Sequence, residues 1–525
     1  METTSAKSAA QNSVSALLVH QAANCPDAVF LQTGDRSISY REANEQAHAL
    51  AQWMVNHGVR RGDRVAICVA NRAEIAISIF AASLVGAIFV VLNPRLRAKG
   101  VAKILDQAET SVVIADDLTA DNIPRDLKAV RLTVADESLP GDIDWQLWRD
   151  ALSTSVTEKI EWPGIDVDPA CLVFTSGSTG MPRGVTLSHD NIRFVVKAIQ
   201  QRLQYQPTDV IGCFLPLAFD YGLYQILLAA ESGAALHIGD PDQVGPRLPR
   251  ILKAARVTVL PGVPALYAAL LKMHQRRPYE LPDLRAVTNT GERLPPAYIA
   301  EMRQRFAGLE VYVMYGLTEC KRVSIMLPHE LDNKPTAVGR PLEGTEVYAV
   351  DESGERLNNG ETGELVVRGR HVALGYWRAP DETAQRFRKR APESAVELFT
   401  GDHGFVDEDG FIYFSARADD LLKHRGNRIS PVEIENEACS IVGVSEAAAL
   451  KREVDDTLHL FVTTSDSALD DAHVLQCLNE VLEPAKVPEF VTIVESLPKS
   501  INGKIDRNQI QHQLDEQPEL VTTHE

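Results

Sequence analysis

The chain has 525 residues, 45% hydrophobic and 6% aromatic, and a formal net charge of −19. That length exceeds one ordinary core, so two or more domains are expected, and the composition excludes a disordered chain. The acidic balance argues against nucleic acid or an anionic membrane surface as partner, and any anionic ligand must be met by local positive groups.

In chain order, the first residues, "METTSAKSAAQNS", are polar and lack an apolar core, so no secretory signal is expected. "RVAICVA" from Arg64 reads as a strand. The apolar run from Ile75 to Leu92 is interrupted by serines and a glycine and ends at Asn93-Pro94. It reads as a buried helix over Glu74–Leu84 and a strand from Ile88 rather than a membrane span. A helix over Lys99–Gln107 leads to the strand "SVVIADD" from Ser111. A polar, Pro/Gly-containing excursion follows, from about Leu139 to Pro169. The alternation then resumes with the strand "ACLVFTS", the helix "HDNIRFVVKAIQQRLQ", the strand "VIGCFLPL", the helix "YGLYQILLAAESG" and the strands "AALHIG" and "RVTVLPG". Strands alternating with helices predict an α/β fold of mostly parallel sheets covered on both faces. After about Gly339 the texture changes. "EVYAVDESGERLNNGETGELVVRG" alternates around Gly/Asn turns and predicts antiparallel strands or a small distorted barrel. Near the end, "SPVEIENEACSI" reads as a helix with Ser430 as N-cap and Pro431 at its first position. A small α+β C-terminal domain is expected, with the boundary near Asp419: residues 1–418 and 419–525. The seven cysteines are scattered and form no C-x-x-C pair. No disulfide framework or zinc site is expected, and a reducing, cytoplasmic setting is the natural reading.

The stretch "FTSGSTGMPRGV" places Thr175, Ser176, Ser178 and Thr179 around Gly177 and Gly180 at the end of an apolar strand. Glycines free backbone N–H groups to point into one concavity, and hydroxyls add donors, so the loop suits phosphate. It lacks the lysine and following hydroxyl of a Walker loop. A plain Gly/Ser surface loop is the alternative.

Further motifs follow in order: "NTGERLP" at Asn289, "YGLTEC" at Tyr315, "TGDHGFVDEDG" at Thr400, "ARADDLLKHRGNRISPVEIE" at Ala416 and "PKSINGKIDR" at Pro498. Together with the loop they resemble the adenylate-forming superfamily of acyl-CoA synthetases, luciferase and the adenylation domains of nonribosomal peptide synthetases. The resemblance implies a large adenylating domain with a small mobile lid, and a two-step reaction. A carboxylate attacks the α-phosphate of Mg-ATP, and a thiol then displaces AMP. It implies roles residue by residue. The loop's hydroxyls and N–H groups would grip the β- and γ-phosphates, while Arg183, where the family usually has lysine, keeps the positive charge at the ATP site as a planar fork. Gly291 and Glu292 would lie at adenine. Tyr315 would stack on adenine or merely pack, and Gly316 beside it would belong to the ATP/AMP site. Thr318 would donate to the α-phosphate and Glu319 would bind Mg²⁺. Asp402 would take the ribose hydroxyls or be a turn aspartate. Arg417 would contact ribose or phosphate, or sit in a salt bridge. Lys504 would bridge substrate carboxylate and α-phosphate, with Lys499 facing solvent. Asp419 would be the hinge.

For the acid, the discriminating pair is Phe219-Asp220. In amino-acid-activating domains the aspartate of such a pair binds the substrate ammonium. Here Asp220 does that or caps the helix from Tyr221. A ligase group tied to bacterial exopolysaccharide and sorting systems shares the "FDYG" pattern. Tyr221, Tyr224, Thr288, Thr290, Met314, Arg322 and Val323 fall near pocket-shaping positions and suggest a small to medium pocket. Arg322 faces a polar substrate group or forms a surface ion pair. "FDYGLYQ" with "YGLTECKRV" is similar to free-standing prolyl-adenylating enzymes. No fused carrier segment is seen after Lys504, so the thiol is expected from a separate carrier protein or from CoA.

Overall fold

The computed structural model describes residues 12–34, 36–135, 144–156, 164–175, 182–417, 422–424, 427–452, 454–455, 457–464, 469–484, 486–499 and 505–516. Two large sheets come first. An eight-stranded sheet runs Gly375–Tyr376, Arg183–Ser188, Pro169–Thr175, Ile88–Val91, Arg64–Cys68, Thr110–Ala115, Val130–Thr133 and Gln146–Leu147. It is parallel except at the first three strands, which pair antiparallel. A nine-stranded sheet has a parallel centre, from Glu310–Tyr315 through Ala286–Asn289, Val259–Gly262, Val210–Cys213 and Ala235–Ile238 to Val29–Thr33.

The strands read as continuous apolar runs because both faces are covered. One core cluster joins residues of both sheets, such as Phe30, Ile67, Val112 and Ile211. It also takes in Ile75, Ile79 and Phe80 of helix Ala73–Leu84 and Ile226 and Leu227 of helix Asp220–Ser232. Both helices therefore lie between the sheets. Every residue of Ala73–Leu84 is buried, which explains an apolar stretch as uniform as a membrane span. No helix among the described residues is long and apolar enough to cross a membrane.

The change of texture after Gly339 corresponds to a five-stranded antiparallel sheet of Thr345–Val350, Gly363–Gly369, Glu397–Val406, Phe387–Arg388 and Ile412–Arg417. The C-terminal part has its own core around Ile434, Leu460 and Leu478. Its sheet pairs Val444–Arg452 with Thr457–Thr464 antiparallel, and the latter with Phe490–Ile493 parallel. Helix Pro431–Ser440 starts as expected, with Ser430 Oγ accepting from Glu433 N–H.

Candidate active site

The phosphate-loop motif hangs between two antiparallel strands, Pro169–Thr175 and Arg183–Ser188, with Thr175 opposite Arg183. The second strand is absent from the sequence reading, which ran from the loop to the helix at His189. Ser176, Gly177, Ser178, Thr179 and Gly180 lie outside the described residues. The described residues on either side of the motif are therefore paired antiparallel strands. Arg183 lies 5.8 Å from the centre of the Tyr376 ring.

Tyr376 is a site residue that the sequence reading missed. Its hydroxyl donates to Glu319 Oε1 at 2.8 Å, and Glu319 C=O accepts from Ala373 N–H at 2.8 Å. The only sequence signal was an aromatic in "ALGYWR", which settles into a two-residue strand beside Arg183–Ser188. Glu319 is therefore a carboxylate of fixed orientation. Among the described residues no group of three or more His, Cys, Asp or Glu could hold a metal. The donor set fits Mg²⁺, which is commonly held by one or two carboxylates with phosphate oxygens and water.

Strands Ala286–Asn289 and Glu310–Tyr315 are parallel and adjacent, so their carboxyl ends bring two motifs together, as α/β ligand sites require. Gly291 turns the first motif at φ +91°. Glu292 Oε1 accepts from the backbone N–H of Ile505, the residue following Lys504, at 2.9 Å. In this structure it ties the C-terminal part to the large one. The second motif closes on itself: Val323 N–H donates to Tyr315 C=O at 2.9 Å and Lys321 N–H to Leu317 C=O at 2.6 Å. Gly316 is sterically required here, because a Cβ would lie 2.2 Å from the Lys321 carbonyl oxygen.

Tyr315 and Asp402 form one unit. The phenol donates to Asp402 Oδ2 at 2.7 Å, and both residues are buried. Burial, ahead of the neighbouring Asp402 charge, pushes the Tyr315 phenol well above its ordinary value. Asp402 is not a turn aspartate: it sits within the strand Glu397–Val406, opposite Arg417. The strand pairing thus places the two residues expected at ribose across from one another.

The acid pocket lies below. Asp220 is the first residue of its helix, whose N-cap is Phe219, and the cap carries no side-chain hydrogen bond. Asp220 is thus not the N-cap of this helix. Instead, Asp220 Oδ2 accepts from Thr318 Oγ1 at 3.0 Å and lies 3.5 Å from Lys321 Nζ. Thr318, expected at the α-phosphate, is thus joined to the acid pocket. Tyr221 and Tyr267 both donate to Thr288 C=O, at 2.6 and 2.7 Å. Tyr224, Met314 and Val323 are buried around them. Arg322 is not on the surface: it is 6% exposed, and its Nη1 donates to Thr290 Oγ1 at 2.5 Å. Burial pulls its guanidinium below the ordinary arginine value. Burial likewise pushes the Cys171 thiol up to about 12, with Lys321 opposing.

Lys321 was not among the expected site residues. No local pattern marks it, since its partner Asp220 stands 101 positions away. Lys499 is not simply solvent-facing either: its ammonium lies 2.6 Å from Glu446 Oε1. Lys504 and Asp419 lie outside the described residues. A separate cavity of about 850 Å³, lined by Thr33, Asn71, His237, Arg247 and Arg250, contains none of the expected site residues.

A carboxylate of fixed orientation and a buried Tyr–Asp pair beside the carboxyl end of Glu310–Tyr315 suit a nucleotide-dependent enzyme. Comparison with known proteins gives the same class. "AMP-binding enzyme" matches residues 18–377 and "AMP-binding enzyme C-terminal domain" matches residues 433–504. The chain belongs to this family of adenylate-forming ligases. It is 30% identical over 505 residues to one of the linear gramicidin synthase polypeptides of Brevibacillus parabrevis, covering 94% of this chain and 6% of that protein. The chain thus spans a small fraction of that relative's length. VinN in complex with L-aspartate is 32% identical with a TM-score of 0.67, covering 76% of this chain and 97% of VinN. ATP-bound MatB from Rhodopseudomonas palustris is 26% identical with a TM-score of 0.83, covering 96% of this chain and 99% of MatB.

Proposed function

We propose that the protein adenylates an amino acid with Mg-ATP, releasing pyrophosphate, and passes the aminoacyl group to the phosphopantetheine thiol of a separate carrier protein. The carrying observation is Asp220, a carboxylate with a 15% exposed side chain, used for no helix cap and set among Thr318, Tyr221 and Tyr224. A carboxylate so placed suits a cationic amine, since a charge withdrawn from water is costly without an opposite one. Similarity to the linear gramicidin synthase and to VinN solved with L-aspartate supports an amino-acid substrate.

In the first step a carboxylate oxygen bonds to the α-phosphorus and the bond to pyrophosphate breaks. The loop hydroxyls and Arg183 stabilise the charge on the departing phosphates. Asp402, oriented by the Tyr315 phenol, accepts from the ribose hydroxyls. Glu319, oriented by Tyr376, would hold Mg²⁺, which when bound offsets charge on the phosphate oxygens. Lys504 bridges the reacting carboxylate and the α-phosphate. Rotation near Asp419 then exchanges the face of the small domain for thioester formation.

One observation favours a second reading, a CoA ligase for a small organic acid. The Lys321 ammonium already stands 3.5 Å from Asp220, where the substrate's own ammonium would otherwise be needed. Similarity to ATP-bound MatB fits that reading too. Pyrophosphate exchange across a panel of amino acids and simple acids separates the two, with wild type and Asp220→Ala. Amino-acid-dependent exchange, reduced about 100-fold or more by the substitution, is expected for a site built around a charged group. Exchange only with simple carboxylates, surviving Asp220→Ala, ends the first reading. Thioester formation, followed on CoA and on a carrier protein in parallel, identifies the thiol. Undiminished adenylation by Lys504→Ala removes that residue's role.

A further inference from the structure

The pocket around Asp220 holds more positive charge than negative. Lys321 and Arg322 are each 6% exposed, and the carboxylate near them is Asp220. Among the described residues Arg322 has no carboxylate at ion-pair distance. Its Nη1 donates to Thr290, its guanidinium lies 5.6 Å from the Tyr221 ring centre, and its Nε has no hydrogen-bond partner. The Tyr224 hydroxyl, also buried, has no partner among these residues, and its ring centre lies 5.1 Å from Lys321 Nζ. A guanidinium stays protonated in proteins, so it cannot escape burial by losing its charge. An uncompensated buried cation is strongly unfavourable.

The backbone holds these cations inward. Lys321 has φ +62°, a left-handed conformation that a non-glycine residue adopts at some cost. Its carbonyl lies where Gly316 leaves no room for a side chain. Thr318 and Lys321 share Asp220 Oδ2 at 3.0 and 3.5 Å, while Arg322 donates to Thr290. The pocket thus offers one negative and two positive side chains. That set complements an acid that carries, besides its reacting carboxylate, an ammonium and a second carboxylate.

We propose that the substrate is a compact amino dicarboxylic acid, with its non-reacting carboxylate held by Lys321 and Arg322. This rests on the adenylation reading above and narrows it. Arginine suits the task because its planar fork matches a carboxylate, and Nε is the donor left open. The Tyr224 hydroxyl supplies a neutral donor beside it.

The test uses the full chain with L-aspartate, L-glutamate, L-asparagine, L-glutamine, L-proline and succinate. Pyrophosphate exchange and calorimetric binding are measured in parallel. One of the two dicarboxylic amino acids is expected to exceed its own amide by about 100-fold or more in kcat/KM, because the amide leaves the cations unpaired. Succinate should bind more weakly than the preferred amino acid, because it brings no ammonium to Asp220. In Arg322→Met the acid-to-amide ratio should fall toward one, and Arg322→Lys should recover part of it. The wild-type panel decides the question if neither variant folds. Preference for proline or for an amide overturns the inference and leaves adenylation intact. Selective binding of a dicarboxylic amino acid without pyrophosphate release keeps the pocket assignment and removes the adenylation reading. No measurable binding of either dicarboxylic amino acid overturns the inference.

Discussion

Glu292 offers the sharpest test of how the two parts of the chain cooperate. Its Oε1 accepts from the Ile505 N–H at 2.9 Å, so the residue after Lys504 is tied to the motif expected at adenine. Hydrogen bonds to charged groups contribute roughly 1.5–3 kcal/mol. Losing one shifts a docked-to-undocked equilibrium by about 10- to 150-fold at roughly 1.4 kcal/mol per decade. The junction keeps a second contact, Tyr298 O–H to Ser445 C=O at 2.9 Å, so docking weakens without vanishing. Glu292→Ala is therefore expected to lower kcat for pyrophosphate exchange by about tenfold or more. KM for ATP should change little. Stopped-flow adenylation against ATP concentration gives both quantities. A raised KM with unchanged kcat would refute the docking role and restore Glu292 as a nucleotide contact. An equal loss in thiol transfer from preformed acyl-adenylate would mean general damage, and it too would refute the reasoning.

Tyr376→Phe removes the hydroxyl that orients Glu319, and the apparent Mg²⁺ affinity in a metal titration of exchange should fall about tenfold or more. Gly316→Ala places a methyl 2.2 Å from the Lys321 carbonyl oxygen. A lowered melting temperature and loss of exchange are expected, and a wild-type melting profile would contradict the packing. Burial lowers His189 and His371 from 6.5 to about 4. Between those values the unfolded chain binds protons that the folded chain does not, so stability falls as pH drops from about 6.5 toward 4. The slope is about 1.4 kcal/mol per pH unit for each histidine. His371→Phe should flatten the fall in melting temperature between pH 7 and 5, since neither ring nitrogen of His371 has a hydrogen-bond partner among the described residues. An unchanged slope would exclude His371 as a source.

Legibility from sequence followed the range of the interactions. Arg64–Cys68, Ile88–Val91 and Thr110–Ala115 were readable because central parallel strands are apolar throughout. Ser430 with Pro431 was readable because a helix start is a local event. Strand Arg183–Ser188 was not: it opens with Arg-Gly and exists through pairing with Pro169–Thr175 and Gly375–Tyr376. The adenylate-forming motifs named Glu319 and Asp220, yet not the groups that hold them. Tyr376 and Lys321 join those carboxylates from 57 and 101 positions away, and only the folded chain brings them together.

The hairpin that carries the Ser/Thr/Gly loop has a mechanical consequence. Its second strand is laddered to Gly375–Tyr376, and Tyr376 grips Glu319. In the proposed reaction, the grip on the outer phosphates and the aim of the cation ligand are thereby coupled through one strand pairing. Arg183 lies at that junction, over the Tyr376 ring. A flat guanidinium can slide across that face while keeping contact, where a lysine would touch it at a point.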